Sequence, residues 1–474
     1  MQVLNNTSCS IKSLDDNNFW TGQKLVEEIN LRARKLVEIG LKAEDKVVIK
    51  HGGTPDFFAD LFAVWEVGAC AACINPNSTK SEIDNIVNFI KPKLILDKIS
   101  NNIFHDAIDL ADEKLNLSNA DINHNFIDDD ALILFTSGTT GVPKGVTHTF
   151  RSIISRISLN IASIPIDEME NTLCPLPTHF GHGLIGNCLT PLLAGKNLFL
   201  FNGSDISFLS KIGEYIDSEK ISFLSSVPTM WKIATKVSEK PKLKTIQRIH
   251  IGSAPLSSSL VSEIAVWSSA NKIYNMYGIT ETANWIAGNN VHDEKDDSVI
   301  GRMWGGDAAI LSREGKILSE GHGEILIKTP SIMKGYYQMN DLTDKCFIRG
   351  WFRTGDIGSI DNNHLIKITG REKFEINRAG LKVNPEDIDI LLEKNPSVDE
   401  ACAFGVEDEL SGEIVAVAVK LNNNSITKEK LREWCMKYLV KEKVPEKWFF
   451  VQEIPKNDRG KVDRLSIAKK FLNS

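Results

Sequence analysis

The chain carries no excess of basic charge. Its 55 Lys and Arg are outnumbered by 62 Asp and Glu, leaving a net charge near −7. The basic footprint of a nucleic-acid binder is missing. Long apolar runs are missing too. The best candidate for a membrane span, residues 61–75, is interrupted by Glu66, so no integral membrane association is expected. The opening "MQVLNNTSCSIKSLDDNN" has neither a basic start nor an apolar core, which predicts no signal peptide and a cytoplasmic location. The eight cysteines are scattered, and Cys70 and Cys73 form a C-x-x-C inside the apolar "VGACAACINP". With no second pair and no nearby His cluster, neither zinc nor disulfides are indicated, and buried reduced thiols are expected. No internal repeat and no low-complexity linker is visible.

What is present is ordinary for a large soluble protein: 474 residues, 42% hydrophobic and 25% charged. "QKLVEEINLRARKLVEIG" reads as an amphipathic helix, followed by the strand "KVVIK" and a second helix, "DFFADLFAVWEVGA". "AACINP", "KPKLILD" and "ALILF" read as strands. A second helix–strand series covers roughly 150–290, with "NLFLF", "ISFLSSVP" and "RIHIGSAPL" as its strands. This alternation predicts α/β architecture. From about 295 turns multiply and β segments dominate, and near Gly370 a small mixed unit begins. The expected fold class is a large N-terminal α/β domain (1–370) with a β-rich subdomain, plus a small mobile α+β C-terminal domain (371–474).

"FTSGTTGVPKGVTH" (135–148) follows the strand "ALILF". A loop of Gly, Ser and Thr can wrap a polyphosphate, because glycine permits close backbone approach and N–H groups and hydroxyls donate to phosphate oxygens. Lys144 adds a point charge. The stretch is not a Walker loop: Pro143 stands where that motif has Gly, and Gly145 follows the lysine. A formal G-x-G-x-x-G, "GHGLIG" (181–186), follows the poor strand sequence "PLPTHF", so no dinucleotide site is expected there.

The first of these stretches resembles the signature of the adenylate-forming superfamily, which includes acyl- and aryl-CoA synthetases, peptide-synthetase adenylation domains and firefly luciferase. Thr136–Gly145 fits T-S-G-T-T-G-x-P-K-G at every position. Further motifs follow in the family's order: "MYGITET" (276–282), "GEILIKTPSIMKGYY" (323–337), "WFRTGDIG" (351–358), "GREKFEINRAGLKVNPEDID" (370–389) and "IPKNDRGKVDR" (454–464). The resemblance covers nearly the whole chain. It departs at Asn377, where many members have Lys.

The resemblance implies an enzyme that joins a carboxylate to AMP, releases pyrophosphate and passes the acyl group to a thiol. Chemistry of this kind rests on positioning and charge. By resemblance, Thr136, Ser137, Gly138, Thr139, Thr140 and Lys144 hold the ATP phosphates. Glu281 contacts Mg²⁺, and Thr280 contacts the α-phosphate or the acyl carboxylate. Asp356 accepts from both ribose hydroxyls, and Arg371 is a second ribose or phosphate contact. Gly252, Ser253, Ala254 and Pro255, with Asn275, Met276, Tyr277 and Gly278, form the adenine wall. Lys461 is the expected catalytic lysine. Lys373 marks a hinge about which the C-terminal domain rotates, bringing the loop around Arg378–Lys382 to the thiol.

His179, Phe180 and Gly181 fall on the family's acyl-pocket segment, with His182 less strongly supported. Amino-acid-activating members place an Asp here to pair the substrate ammonium; Phe180 cannot, and an unpaired ammonium is costly to bury. A non-amino aryl or aliphatic acid is therefore expected. Gly181, Gly183 and Gly186 suggest room for a longer or bulkier acyl group. The few residues after Lys461 leave no space for a fused carrier domain. The thiol is expected to be CoA, with a separate phosphopantetheinyl carrier protein as the alternative and a non-catalytic nucleotide-binding relative less favoured. The sequence leaves the oligomeric state open.

Overall fold

The computed structural model describes residues 8–98, 107–108, 110, 127–136, 144–201, 206–270, 272–294, 296–371, 374, 376–378, 381–408, 412–422, 426–439, 441–456 and 461–472. Their strands assemble into three sheets of fifteen, seven and five strands.

The seven-stranded sheet has a parallel centre. Lys46–Ile49 lies between Cys70–Cys73 and Leu94–Leu96, and Asp130–Thr136 follows beyond Cys70–Cys73. The inner positions of these strands are apolar and buried, as expected where helices cover a parallel sheet. Pro55–Glu66 is buried along nearly its whole length, with Asp56 and Glu66 the partly exposed exceptions. Threonines start the helices: Thr21, Thr54, Thr79 and Thr149 each accept a first-turn backbone N–H, Thr79 completing a capping box with Glu82.

The fifteen-stranded sheet has a parallel part that gives way to a long antiparallel one. Asn171–Cys174, Asn197–Leu200, Phe223–Ser226, Arg248–Gly252 and Lys272–Ile279 form its parallel part. Asn284–Asn290 then turns back beside Lys272–Ile279. One apolar core joins both sheets through the helices Gly22–Glu38, Pro55–Glu66 and Phe150–Ser163. The third sheet draws on residues 376–450, with the long hairpin Val398–Asp408/Gly412–Leu421 at its centre.

The sequence reading missed Ser10–Ser13, which is polar at both ends yet pairs parallel with Asn197–Leu200. The "GHGLIG" stretch opens no Rossmann turn. It begins a π-helical segment, His182–Leu189, a form that clusters at functional sites. All eight cysteines are free thiols, and all but Cys346 are buried. Burial pushes the Cys70 thiol up to about 12. Among the described residues no helix is long and apolar enough to cross a membrane.

Candidate active site

The Gly/Ser/Thr loop closes a hairpin. Asp130–Thr136 and Lys144–Thr149 pair antiparallel, with Thr136 opposite Lys144. The lysine thus opens a strand, whereas a Walker lysine opens a helix. Gly145 is required by packing: a Cβ there would come within 2.9 Å of the Ile133 side chain. Ser137, Gly138, Thr139, Thr140 and Lys373 lie outside the described residues, as does the side chain of Thr136.

Lys144 and Glu281 meet through a residue without an assigned role. The Lys144 ammonium lies 3.6 Å from the centroid of the Tyr336 ring. The Tyr336 hydroxyl donates to Glu281 Oε1 at 2.8 Å. Gly335–Tyr336 is held there by pairing with Lys144–Thr149, and Met333 N–H donates to the Glu281 carbonyl. The "KGYY" segment therefore ties the strand Lys144–Thr149 to the "YGITE" turn.

Thr280 is fixed from below. His148, fully buried, donates from Nε2 to the Thr280 carbonyl at 2.8 Å. Burial pulls the imidazole down to about 4, so it is neutral. His148 closes the phosphate motif in sequence, and that position was its only signal. Behind Thr280, Ala283 and Asn284 both adopt left-handed backbone, φ 57° and 94°. Such strain in non-glycine residues concentrates at functional sites.

Asp356 is buried between two partners. Arg371 Nε lies 2.7 Å from Oδ1, and the Tyr277 hydroxyl donates to Oδ2 at 2.5 Å. Asp356 and Arg371 are direct cross-strand neighbours of Trp351–Ile360 and Ile366–Arg371. Burial holds the Asp356 carboxyl above its usual range, opposed by Arg371, Tyr277 and Lys461. Glu324 of "GEI" braces the turn: it pairs with Arg353 at 2.6 Å and accepts from Gly355 N–H at 3.0 Å. Gly355 has φ +69°, which explains the glycine in "RTGD".

Side-chain alternation along Lys272–Ile279 divides the expected adenine wall. Asn275 and Tyr277 share one face: Asn275 donates to the Val299 carbonyl and Tyr277 reaches Asp356. Met276 points to the other face, into an apolar cluster with Phe223 and Trp285. Ser253 is left-handed (φ 71°), and its hydroxyl lies 2.9 Å from His182 Nδ1. His182 Nε2 lies 2.8 Å from the Ser225 hydroxyl. His179 and Phe180 pack ring to ring, centroids 4.1 Å apart, while Gly181 faces Leu134. His182 is thus more central than its sequence context indicated.

Lys461 stands at this site. Its charge helps to pull Asp356 down and, after burial, pulls His182 down to about 3. The lysine therefore lies within electrostatic reach of both the Asp356 carboxylate and the His182 pocket. Three residues on, Arg464 anchors the segment. It pairs with Asp389 of "VNPEDID" at 2.7 Å and donates to the Ala403 carbonyl. Among the described residues no cluster of three or more His, Cys, Asp or Glu forms a metal cage. A divalent cation here would take Glu281 and share the rest of its shell with phosphate oxygens.

Comparison with known proteins gives a consistent result. The family model for the AMP-binding enzyme matches residues 4–337, and that for the AMP-binding enzyme C-terminal domain matches 387–461. The oxalate–CoA ligase of Arabidopsis thaliana is 31% identical over 490 aligned residues, covering 95% of this chain and 93% of the relative. A 2-succinylbenzoate–CoA ligase of Geobacillus is 27% identical, with 96% and 93% covered. The long-chain-fatty-acid–CoA ligase FadD13 of Mycobacterium tuberculosis is also 27% identical, with 93% and 91% covered. In fold, ATP-bound MatB from Rhodopseudomonas palustris superposes with a TM-score of 0.89 at 24% identity, covering 99% of this chain and 97% of that one.

Proposed function

We propose, on the premise that this chain belongs to the AMP-binding enzyme family and is an AMP-forming acid–thiol ligase of the acyl-CoA synthetase class, that it adenylates a small non-amino carboxylic acid with Lys461 as its catalytic lysine and transfers the acyl group to CoA. The observation that supports this reading is the buried Asp356 carboxylate held between Tyr277 and Arg371, with the Lys461 charge among those that pull it down.

The acid's carboxylate oxygen attacks the α-phosphorus of ATP. A P–O bond forms, the bond to pyrophosphate breaks, and pyrophosphate leaves. Lys461 stabilises the charge that builds between carboxylate and phosphate. Asp356, held by Tyr277 and Arg371, fixes the ribose. Lys144 and the hydroxylic loop receive the pyrophosphate end. Mg²⁺, when bound, would neutralise phosphate charge there, with Glu281 as its protein ligand. The CoA thiolate then attacks the acyl carbonyl, and AMP leaves. The mobile unit that withdraws Lys461 is taken to begin near Gly370, where a Cβ would meet the Asn384 side chain.

The test is acid-dependent ATP–pyrophosphate exchange with Lys461→Ala. Exchange should fall by at least about a hundredfold, the scale of a lost transition-state charge contact, while ATP binding persists. Normal exchange in the variant would refute the assignment. Adenylate formation without acyl-CoA in the wild type would move the acceptor from CoA to a carrier protein.

A further inference from the structure

We propose that the acid is compact, because the acyl pocket is closed behind His182 by Met276, Trp285 and Trp304. The inference rests on the acid-activating reading above and sets its substrate class. Gly252, Met276 and Gly288 are register partners in a row across three neighbouring strands. Two glycines flanking one residue leave a slot on each side of it. Met276 fills both. A Cβ at Gly252 would lie 2.9 Å from the Met276 carbonyl oxygen, 3.3 Å from Met276 Cβ and 3.6 Å from His182 Cε1. A Cβ at Gly288 would lie 2.6 Å from Met276 Sδ and 2.9 Å from Trp304 Cζ2. The methionine therefore runs from the His182 corner toward Gly288, where Trp304 meets its end.

Gly183 and Gly186 leave no more room. A Cβ at Gly186 would lie 2.0 Å from Asn284 Nδ2 and 2.9 Å from Trp285 Cζ2. A Cβ at Gly183 would fall 2.3 Å from the Pro177 carbonyl, and one at Gly181 would touch Leu134 at 3.4 Å. The space suggested by Gly183 and Gly186 in the sequence is filled by the protein itself, while a Cβ at Gly181 would make an ordinary contact. Trp285 is 2% exposed and lies edge-on to His182, ring centroids 5.7 Å apart. Behind it His250 packs against Trp285, Trp304 and Phe223. A long acyl tail entering past His182 would have to displace Met276 first and Trp304 next.

The test is pyrophosphate exchange over linear acids from acetate to palmitate, with oxalate and 2-succinylbenzoate added. The wild type should prefer a short acid, with kcat/KM at least about tenfold lower for octanoate, the scale of one misfitted methylene or more. Met276→Ala should raise the octanoate-to-short-acid ratio by about tenfold or more. Trp304→Leu provides the same measurement should the first variant fold poorly. A best wild-type substrate among octanoate, palmitate or 2-succinylbenzoate overturns the inference, as does an unchanged ratio in both variants. Silence with every acid overturns the acid-activating reading itself, and this inference with it.

Discussion

The Tyr336 hydroxyl donates to Glu281 Oε1 at 2.8 Å, and the face of the same ring carries the Lys144 ammonium 3.6 Å from its centroid. One side chain thus orients the proposed metal carboxylate and the proposed pyrophosphate lysine. Tyr336→Phe keeps the ring but removes the hydrogen bond to Glu281, worth about 1.5–3 kcal/mol to a charged group, and the weaker one from the Cys346 thiol. It should raise the Mg²⁺ needed for half-maximal ATP binding by about tenfold. Tyr336→Leu also removes the cation–π contact, about 0.5–2 kcal/mol, and should weaken ATP binding without Mg²⁺ as well. Equilibrium ATP binding with and without the metal separates the two. If both variants only lower thermal stability, Tyr336 is packing alone.

Asp356 contributes through its charge and its two partners. Asp356→Asn keeps the shape but leaves Arg371 facing a neutral amide. KM for ATP should rise by about tenfold or more, and Tyr277→Phe should have a smaller effect of the same kind, consistent with one hydrogen bond to a charged group. An unchanged KM for ATP in Asp356→Asn would remove this residue from the nucleotide site.

His148 makes stability fall with acid. Its folded value, about 4, lies below the ordinary histidine value. As pH falls through about 6.5 the unfolded chain takes the proton while the folded one does not. The stabilisation is complete above that pH and is lost on going down toward 4, up to about 3 kcal/mol from this group. His148→Gln keeps an N–H for the Thr280 carbonyl but cannot titrate. Its apparent unfolding midpoint in urea should change less between pH 7 and pH 5 than the wild-type midpoint. Parallel curves would show that another group carries the dependence.

What the sequence made legible follows from what its motifs encode. The ordered motifs, by resemblance, implied the fold class and named the charged residues, because those functions demand fixed residue types. Buttressing was not legible. Tyr336 stood inside a quoted motif, yet nothing in "GYY" says which tyrosine reaches Glu281. His182 was underrated because its serine partners, Ser225 and Ser253, lie 43 and 71 residues away. The glycines of "GHGLIG" read as open space for the opposite reason: a sequence shows a missing side chain but not the neighbour that fills the gap. Asn275 and Met276 were grouped as one wall, though alternation along a strand places them on opposite faces.

Arg464 and Asp389 give the last prediction. They pair at 2.7 Å, both largely buried, and Arg464 stands three residues from Lys461. Burial raises the Asp389 carboxyl to about 7 even beside the guanidinium. Arg464→Met would leave that carboxyl buried without its cation, at a cost of about 3–5 kcal/mol. The thermal midpoint should drop, and pyrophosphate exchange should fall with it, since the Lys461 segment loses its anchor. Adding Asp389→Leu removes the stranded carboxyl, and replacing a buried pair by apolar groups is often close to neutral for stability. The double variant should therefore regain most of the midpoint while exchange stays low. A single variant with the wild-type midpoint would show that the pair does not hold this segment. A double variant with full exchange would show that Lys461 is positioned by something else.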